Sequence, residues 1–238
     1  MKRSLAILIA IAATSLAVFP QAKCKKFDPK TGKPMCCKAK GWASCPDKGC
    51  GGDPLLNQAK NRTDKPTNNN IGISTITDVA DLKHPKSWKS GTKRDLLVSW
   101  GEGTPLRVTL YLQKVKNYTD GAESCNCNID GDRNNDYHLV LGRTKNAPEK
   151  QSMTAEITPR LRLDPWNYDR LSKLAKDKSY VRVTGWAMLD TQHVGKSVPV
   201  RRTHWEIHPV TRFEVCTTTK SDCDAGNGWQ NLEDMPQE

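Results

Sequence analysis

In "THWEIHP", His204, Glu206 and His208 stand at alternate positions directly before Pro209. Imidazole and carboxylate groups at that spacing suit two kinds of chemistry: ligation of a divalent ion such as zinc or manganese, or a general acid and base pair working near neutral pH. In a strand, turning Trp205 and Ile207 inward sends all three polar residues outward. An exposed sheet face carrying ordinary polar residues is the plain alternative, so the neighbours decide. In "DYHLVLG", packing Tyr137, Leu139 and Leu141 inward sends Asp136 and His138 outward. Glu156 in "MTAEITP" points outward by the same rule, as do Arg182, Trp186, Met188 and Asp190 in "RVTGWAMLD". His138, Glu156, Asp190, Glu206 and His208 are the candidate metal set, and His138, Glu206 and His208 are the candidate catalytic residues. His193 lies in a loop at the rim.

Those segments need a common sheet. "RVTLYLQKVKN" alternates Val108, Leu110 and Leu112; "SMTAEITP" puts Met153, Ala155 and Ile157 on one face; "SYVRVTGWAMLD" does the same with Val181, Val183, Ala187 and Leu189. Between the third and fourth of these runs, "DPWNYDRLSKLAKD" carries Leu171 and Leu174 at helical spacing behind Asp164, Pro165 and Asp169, which suit a helix start. The order strand, strand, strand, helix, strand, strand predicts a mostly β chain folded as a five-stranded OB-fold-like barrel with one helix between strands 3 and 4. Gly185 fits a position where a barrel strand must bend. The barrel spans residues 95–216, preceded by a polar lead-in or linker over 54–94 and followed by a tail over 217–238. Strand 3 of such a barrel lies between strands 2 and 5, which brings the candidate metal set to one surface.

The N-terminus reads as a signal peptide over residues 1–22: Lys2 and Arg3 precede an apolar run from Leu5 to about Val18, with cleavage after Ala17 or Ala22. A secreted or periplasmic location follows. Losing Lys2 and Arg3 lowers the formal charge from +11 to +9, with 35 basic residues against 26 acidic ones. That balance favours polyanions. Nine cysteines in a secreted chain imply disulfides with one thiol left over. Five of them, Cys24, Cys36, Cys37, Cys45 and Cys50, fall in a basic, core-poor segment over 23–53 that must be stapled. Cys125 and Cys127 are too close to join each other without strain and are expected to reach elsewhere, toward the N-terminal segment, while Cys216 and Cys223 suit closure of the C-terminal turn. Asp130, Asp132, Asn134 and Asp136 offer calcium-type oxygens at alternate positions, but the glycine and distal bidentate Glu of an EF-hand are lacking, and a solvated turn between strands is the better account.

The wording "YLQKVKN", "ESCNCN", "DYHLVLG", "AEITP", "VRVTGWAMLD" and "WEIHPVT" resembles a group of uncharacterised bacterial secreted proteins with an OB-like domain. "DPLLNQAKNRTDKP" resembles the lead-in segment they often carry, and the likeness covers about residues 50–216. It implies the fold and the domain limits and brings no activity with it.

Three functional readings stay open. A binding module would hold a polyanion such as single-stranded nucleic acid through Tyr111, Lys114, Lys116, Arg182, Trp186, Arg201 and Arg202, stacking bases on aromatics while cations track phosphates. A metal-dependent hydrolase, nuclease-like, would use the His and Glu cluster. A cell-envelope module would bind another protein.

Overall fold

The computed structural model describes residues 39–117, 123–195 and 201–236, together with a two-residue strand pair, Lys26–Phe27 with Pro34–Met35. The expected signal peptide and Cys24, Cys36 and Cys37 lie outside the described residues. Five strands build the barrel: β1 Pro105–Asn117, β2 Tyr137–Gly142, β3 Met153–Ile157, β4 Tyr180–Leu189 and β5 Trp205–Cys216. β1 pairs antiparallel with β2 and β2 with β3; β3 runs parallel to β5 at Ala155↔Ile207; β5 pairs antiparallel with β4, and β4 returns to β1. The sheet is thereby closed, with the connectivity of an OB-fold.

The alternation read from the sequence is the alternation of the core. Val108, Leu110, Leu112, Leu139, Leu141, Met153, Ala155, Ile157, Val181, Val183, Trp205, Ile207 and Phe213 all face one buried cluster. Each fully buried aliphatic or aromatic side chain contributes about 1.5–3 kcal/mol by leaving water. α4, Tyr168–Lys176, lies between β3 and β4 and packs Leu171 and Ala175 into that cluster. Its start is set by Asn167, whose side chain accepts from the Arg170 amide at 3.0 Å. Gly185 sits where β4 presses on β5: a Cβ there would lie 2.2 Å from the Pro209 carbonyl oxygen and 2.5 Å from Ile207 Cγ2.

The polar composition of 54–94 suggests a loose linker, but the segment folds onto the barrel. α1, Pro54–Lys60, begins at Asp53, whose carboxylate accepts from the amides of Leu55 at 3.0 Å and Leu56 at 3.3 Å, with Pro54 as its first residue. α2, Ile76–Ala80, starts from a capping box between Thr75 and Asp78 and buries Ile76 and Val79 in the core. α3, Asp95–Ser99, adds Leu97. The tail is ordered as well: α5, Lys220–Asp224, and β6, Trp229–Asn231, which pairs with β5, are followed by buried Leu232.

Cys45 bonds to Cys127 across 82 residues, tying the N-terminal segment to the β1–β2 loop, and Cys216 bonds to Cys223. Cys50 is also disulfide-bonded. Cys125 departs from the expectation that both loop cysteines reach outward: it is a buried free thiol, its Sγ 3.8 Å from Asp136 Oδ2. Left-handed backbone at Cys127 turns the chain there, so that the two side chains take different environments. No helix among the described residues is long and apolar enough to cross a membrane.

Candidate functional site

The five residues of the expected metal set do converge, but under cover. Register pairs put His138 beside Glu156 on β2 and β3 and Glu206 beside Met188 on β5 and β4. Onto this outer face of the barrel fold α1 and the turn over 123–127. Lys60, from the end of α1, reaches Glu156 Oε2 at 3.1 Å. Glu123 reaches His138 Nε2 at 3.1 Å, while the other ring nitrogen lies 2.9 Å from Glu156 Oε1. Asn61 and Asn57 join the two covering pieces to each other: Asn61 Nδ2 donates to the Cys125 carbonyl at 2.8 Å, and Ser124 Oγ donates to Asn57 Oδ1 at 3.0 Å. Glu156, Glu206, His208 and Asp136 are left with at most 1% of their surface exposed.

The cluster has two halves. Toward the β4–β5 loop, Arg201 donates to Glu206 at 3.0 Å and also binds Asp190, which His193 contacts from the rim. Toward the β1–β2 loop, Asp136 takes Asn126 Nδ2 at 2.9 Å and faces His208 Nε2 at 3.3 Å. His208 Nδ1 lies 3.7 Å from Glu156 Oε2, and neither ring nitrogen is aligned for a hydrogen bond.

Burial and mutual charge set the protonation pattern. Burial alone would lower Lys60, yet Glu156 and the surrounding Cys125, Glu206 and Asp190 hold its ammonium well above the usual lysine range. His138 is likewise raised against the effect of burial, by Glu156 and Glu123. Glu156 goes the other way: burial would raise it, and His138 and Lys60 hold it well below the carboxylate range. Burial and then Glu123 and Glu156 push Asp136 up to about 7, burial and Glu156 raise Glu206 strongly, and burial holds His208 down to about 3. Three groups of this half-network, Lys60, Asp136 and Cys125, stand outside the expected site, and so does Glu123. Asp136 was legible as outward; Lys60 was legible only through the Asp53–Pro54 helix start, which gives no hint of where α1 docks.

The residues expected to bind a polyanion divide. Trp186 points out of the barrel but is 8% exposed, with the Arg62 guanidinium 3.5 Å above its ring and its indole N–H on the Asp64 carbonyl, because the lead-in crosses it. Arg201 is spent on Asp190 and Glu206, and Lys116 pairs with Glu149. Lys114 and Arg202 are exposed.

Tyr111 and Arg182 belong to a surface that the sequence reading only half assembled. Residues directly opposite in register share a face, and three successive rows cross β1, β4, β5 and β6. Arg107, Thr184 and Arg212 form the first; Thr109, Arg182, Glu214 and Asn231 the second; at the third, Tyr111 stands opposite Tyr180 and Cys216 opposite Trp229. Tyr111 and Tyr180 meet at a tilt of 43° with ring centroids 4.8 Å apart, Tyr180 and Trp229 lie 5.7 Å apart, and Arg182 covers Trp229 at 4.6 Å while binding Glu214. Lys220 sits 4.8 Å over Tyr180. The cations crowd one another: burial, Arg182 and Arg212 lower the Arg107 guanidinium from its ordinary value against the pull of Glu214. Tyr180 and Trp229 were missed because one begins its strand and the other falls in the presumed tail.

Fold and site together define an OB-type barrel whose β2–β3 face, the usual ligand face of the fold, is filled by the chain's own lead-in, and whose β1–β4–β5 face is basic and aromatic. No family model, curated protein or solved structure matches the chain.

Proposed function

We propose that this protein is an extracytoplasmic binding module whose barrel holds a polyanion, single-stranded nucleic acid first among them. The observation that carries the reading is the basic and aromatic face: Arg107 and Arg212, with Arg182 held by Glu214 against the Trp229 ring, in rows adjoining Tyr111, Tyr180 and Trp229. Guanidinium groups neutralise phosphates while ring faces stack bases without demanding a sequence. The net charge, +11 for the whole chain and +9 without Lys2 and Arg3, supports a polyanionic partner, and the basic, apolar N-terminal run together with the disulfides supports a place outside the cytoplasm. The hydrolase reading has less behind it. Of its residues, Glu206 and His208 are buried under the folded-over lead-in and the 123–127 turn, and His138 is half-buried with both ring nitrogens engaged by Glu123 and Glu156.

The test is fluorescence anisotropy of a labelled oligothymidylate titrated with the protein at several salt concentrations. The expected result is binding whose logarithm falls linearly with the logarithm of salt, with a slope of about −0.7 for each phosphate neutralised. Binding that ignores salt, or none with either the oligonucleotide or heparin, would overturn the reading.

A further inference from the structure

Among the carboxylates under α1, Asp136 stands apart. Glu156 has Lys60 and His138, and Asp190 and Glu206 share Arg201. Asp136 is fully buried and has no lysine or arginine in ion-pair contact among the described residues. Beside it stands His208, also without exposed side chain, whose two ring nitrogens lack hydrogen bonds although carboxylates lie within 3.3 and 3.7 Å. Asp136 accepts from Asn126 Nδ2 but has no cationic partner, and a buried carboxylate in that position and a buried imidazole without a hydrogen bond are each costly arrangements. The two fall at the same place, where one cation would answer both.

We infer that a divalent cation of zinc type binds between Asp136, Glu156 and His208. Ligand atoms of these three lie within 4.8 Å of one another. The 3.3 Å from Asp136 Oδ2 to His208 Nε2 already matches the edge of a tetrahedral zinc site, about 3.3 Å for bonds of roughly 2.0–2.1 Å. The two remaining edges, both to Glu156, lie within 4.8 Å, and closing them to about 3.3 Å takes side-chain movements of at most about 1.5 Å. Imidazole with two carboxylates is a donor set zinc accepts, and manganese tolerates it. Lys60 then holds Glu156 in position as the outer partner of a ligand carboxylate, the arrangement that orients metal ligands generally. Such an ion joins the end of the β1–β2 loop to β3 and β5, and its role is structural because the site is closed. This inference does not depend on the polyanion reading and uses none of that face's residues.

The experiment is zinc titration of the full purified chain, stripped with a chelator, by calorimetry and by thermal unfolding, alongside Asp136→Asn and His208→Gln. One zinc per chain and a raised melting temperature are expected for the parent, with affinity at least tenfold weaker in both variants. If His208→Gln fails to fold, Asp136→Asn, which keeps the shape and removes the charge, decides alone. Cobalt serves as the second probe: the proposed oxygen and nitrogen ligands give no thiolate charge-transfer absorption, whereas capture by cysteines does. Zinc that leaves the melting temperature unchanged, zinc binding that survives Asp136→Asn, or a thiolate band with cobalt would each overturn the site. So would an Asp136→Asn chain more stable than the zinc-loaded parent, since the carboxyl would then carry only a proton.

Discussion

Lys60 Nζ meets Glu156 Oε2 at 3.1 Å with side chains only 11% and 2% exposed, so the last residue of α1 is an ion-pair partner buried against the barrel. Removing one member of a buried pair leaves the other charge stranded, at a cost of about 3–5 kcal/mol. Lys60→Met is therefore expected to lose about 3 kcal/mol, the lower end because His138 still faces Glu156. The double variant Lys60→Met, Glu156→Gln should recover part of that loss. Urea unfolding of the four members of the cycle measures it, and simple additivity would show that the contact holds nothing together.

Asp190 sets an acid limit. Burial alone would raise its carboxyl, but His193, Lys60 and Arg201 hold it well below the carboxylate range. The fold thus prefers the ionised form, so the stability it lends is complete above the unfolded value of about 3.9 and is lost as pH falls toward the lower folded one. Asp190→Asn should be less stable at neutral pH and lose less between about pH 5 and 2. Unfolding midpoints that run parallel to the parent's down the acid limb would refute this.

At Gly185 the room for a side chain is missing, since a Cβ would stand 2.2 Å from the Pro209 carbonyl oxygen. Backbone cannot step aside as a flexible side chain does. Gly185→Ala should cost about 3 kcal/mol or more, at the top of the range for overpacking, read as a fall in melting temperature. A loss under 1 kcal/mol would mean that β4 and β5 separate freely.

The basic and aromatic face makes separable predictions. Trp229→Ala and Tyr111→Ala should each weaken oligothymidylate binding by about 1–3 kcal/mol with little change in salt slope. Arg107→Ala should weaken it while reducing the slope by about 0.7. Lys116→Ala, whose ammonium is engaged by Glu149, should change neither quantity much. A uniform effect of every variant, in anisotropy at two salt concentrations, would place the ligand elsewhere.

Strand alternation made the barrel legible: Val108, Leu110 and Leu112 alternate because β1 has one dry face, and Leu171 repeats at helical spacing because α4 lies against the core. The same alternation sent His138, Glu156 and Glu206 outward, and outward they are. What it could not convey is what lies over that outward face. Period-two patterning reports the side of the sheet, while the cover comes from α1, some hundred positions earlier in the chain, through Lys60 and Asn61. Cys125 illustrates the same limit: its neighbour Cys127 forms the bridge, and only the left-handed turn between them separates their fates.

The bridge from Cys45 to Cys127 also decides how the protein meets proteases. Lys83, Lys86, Lys89 and Lys93 are exposed on the irregular stretch between α2 and α3, within the span that the bridge encloses. A trypsin-like enzyme that cuts after any of them produces two chains still joined by sulfur, with α1 and β1 on opposite sides of the nick. Such a molecule runs at full mass until it is reduced, and the barrel keeps its cover despite a severed backbone.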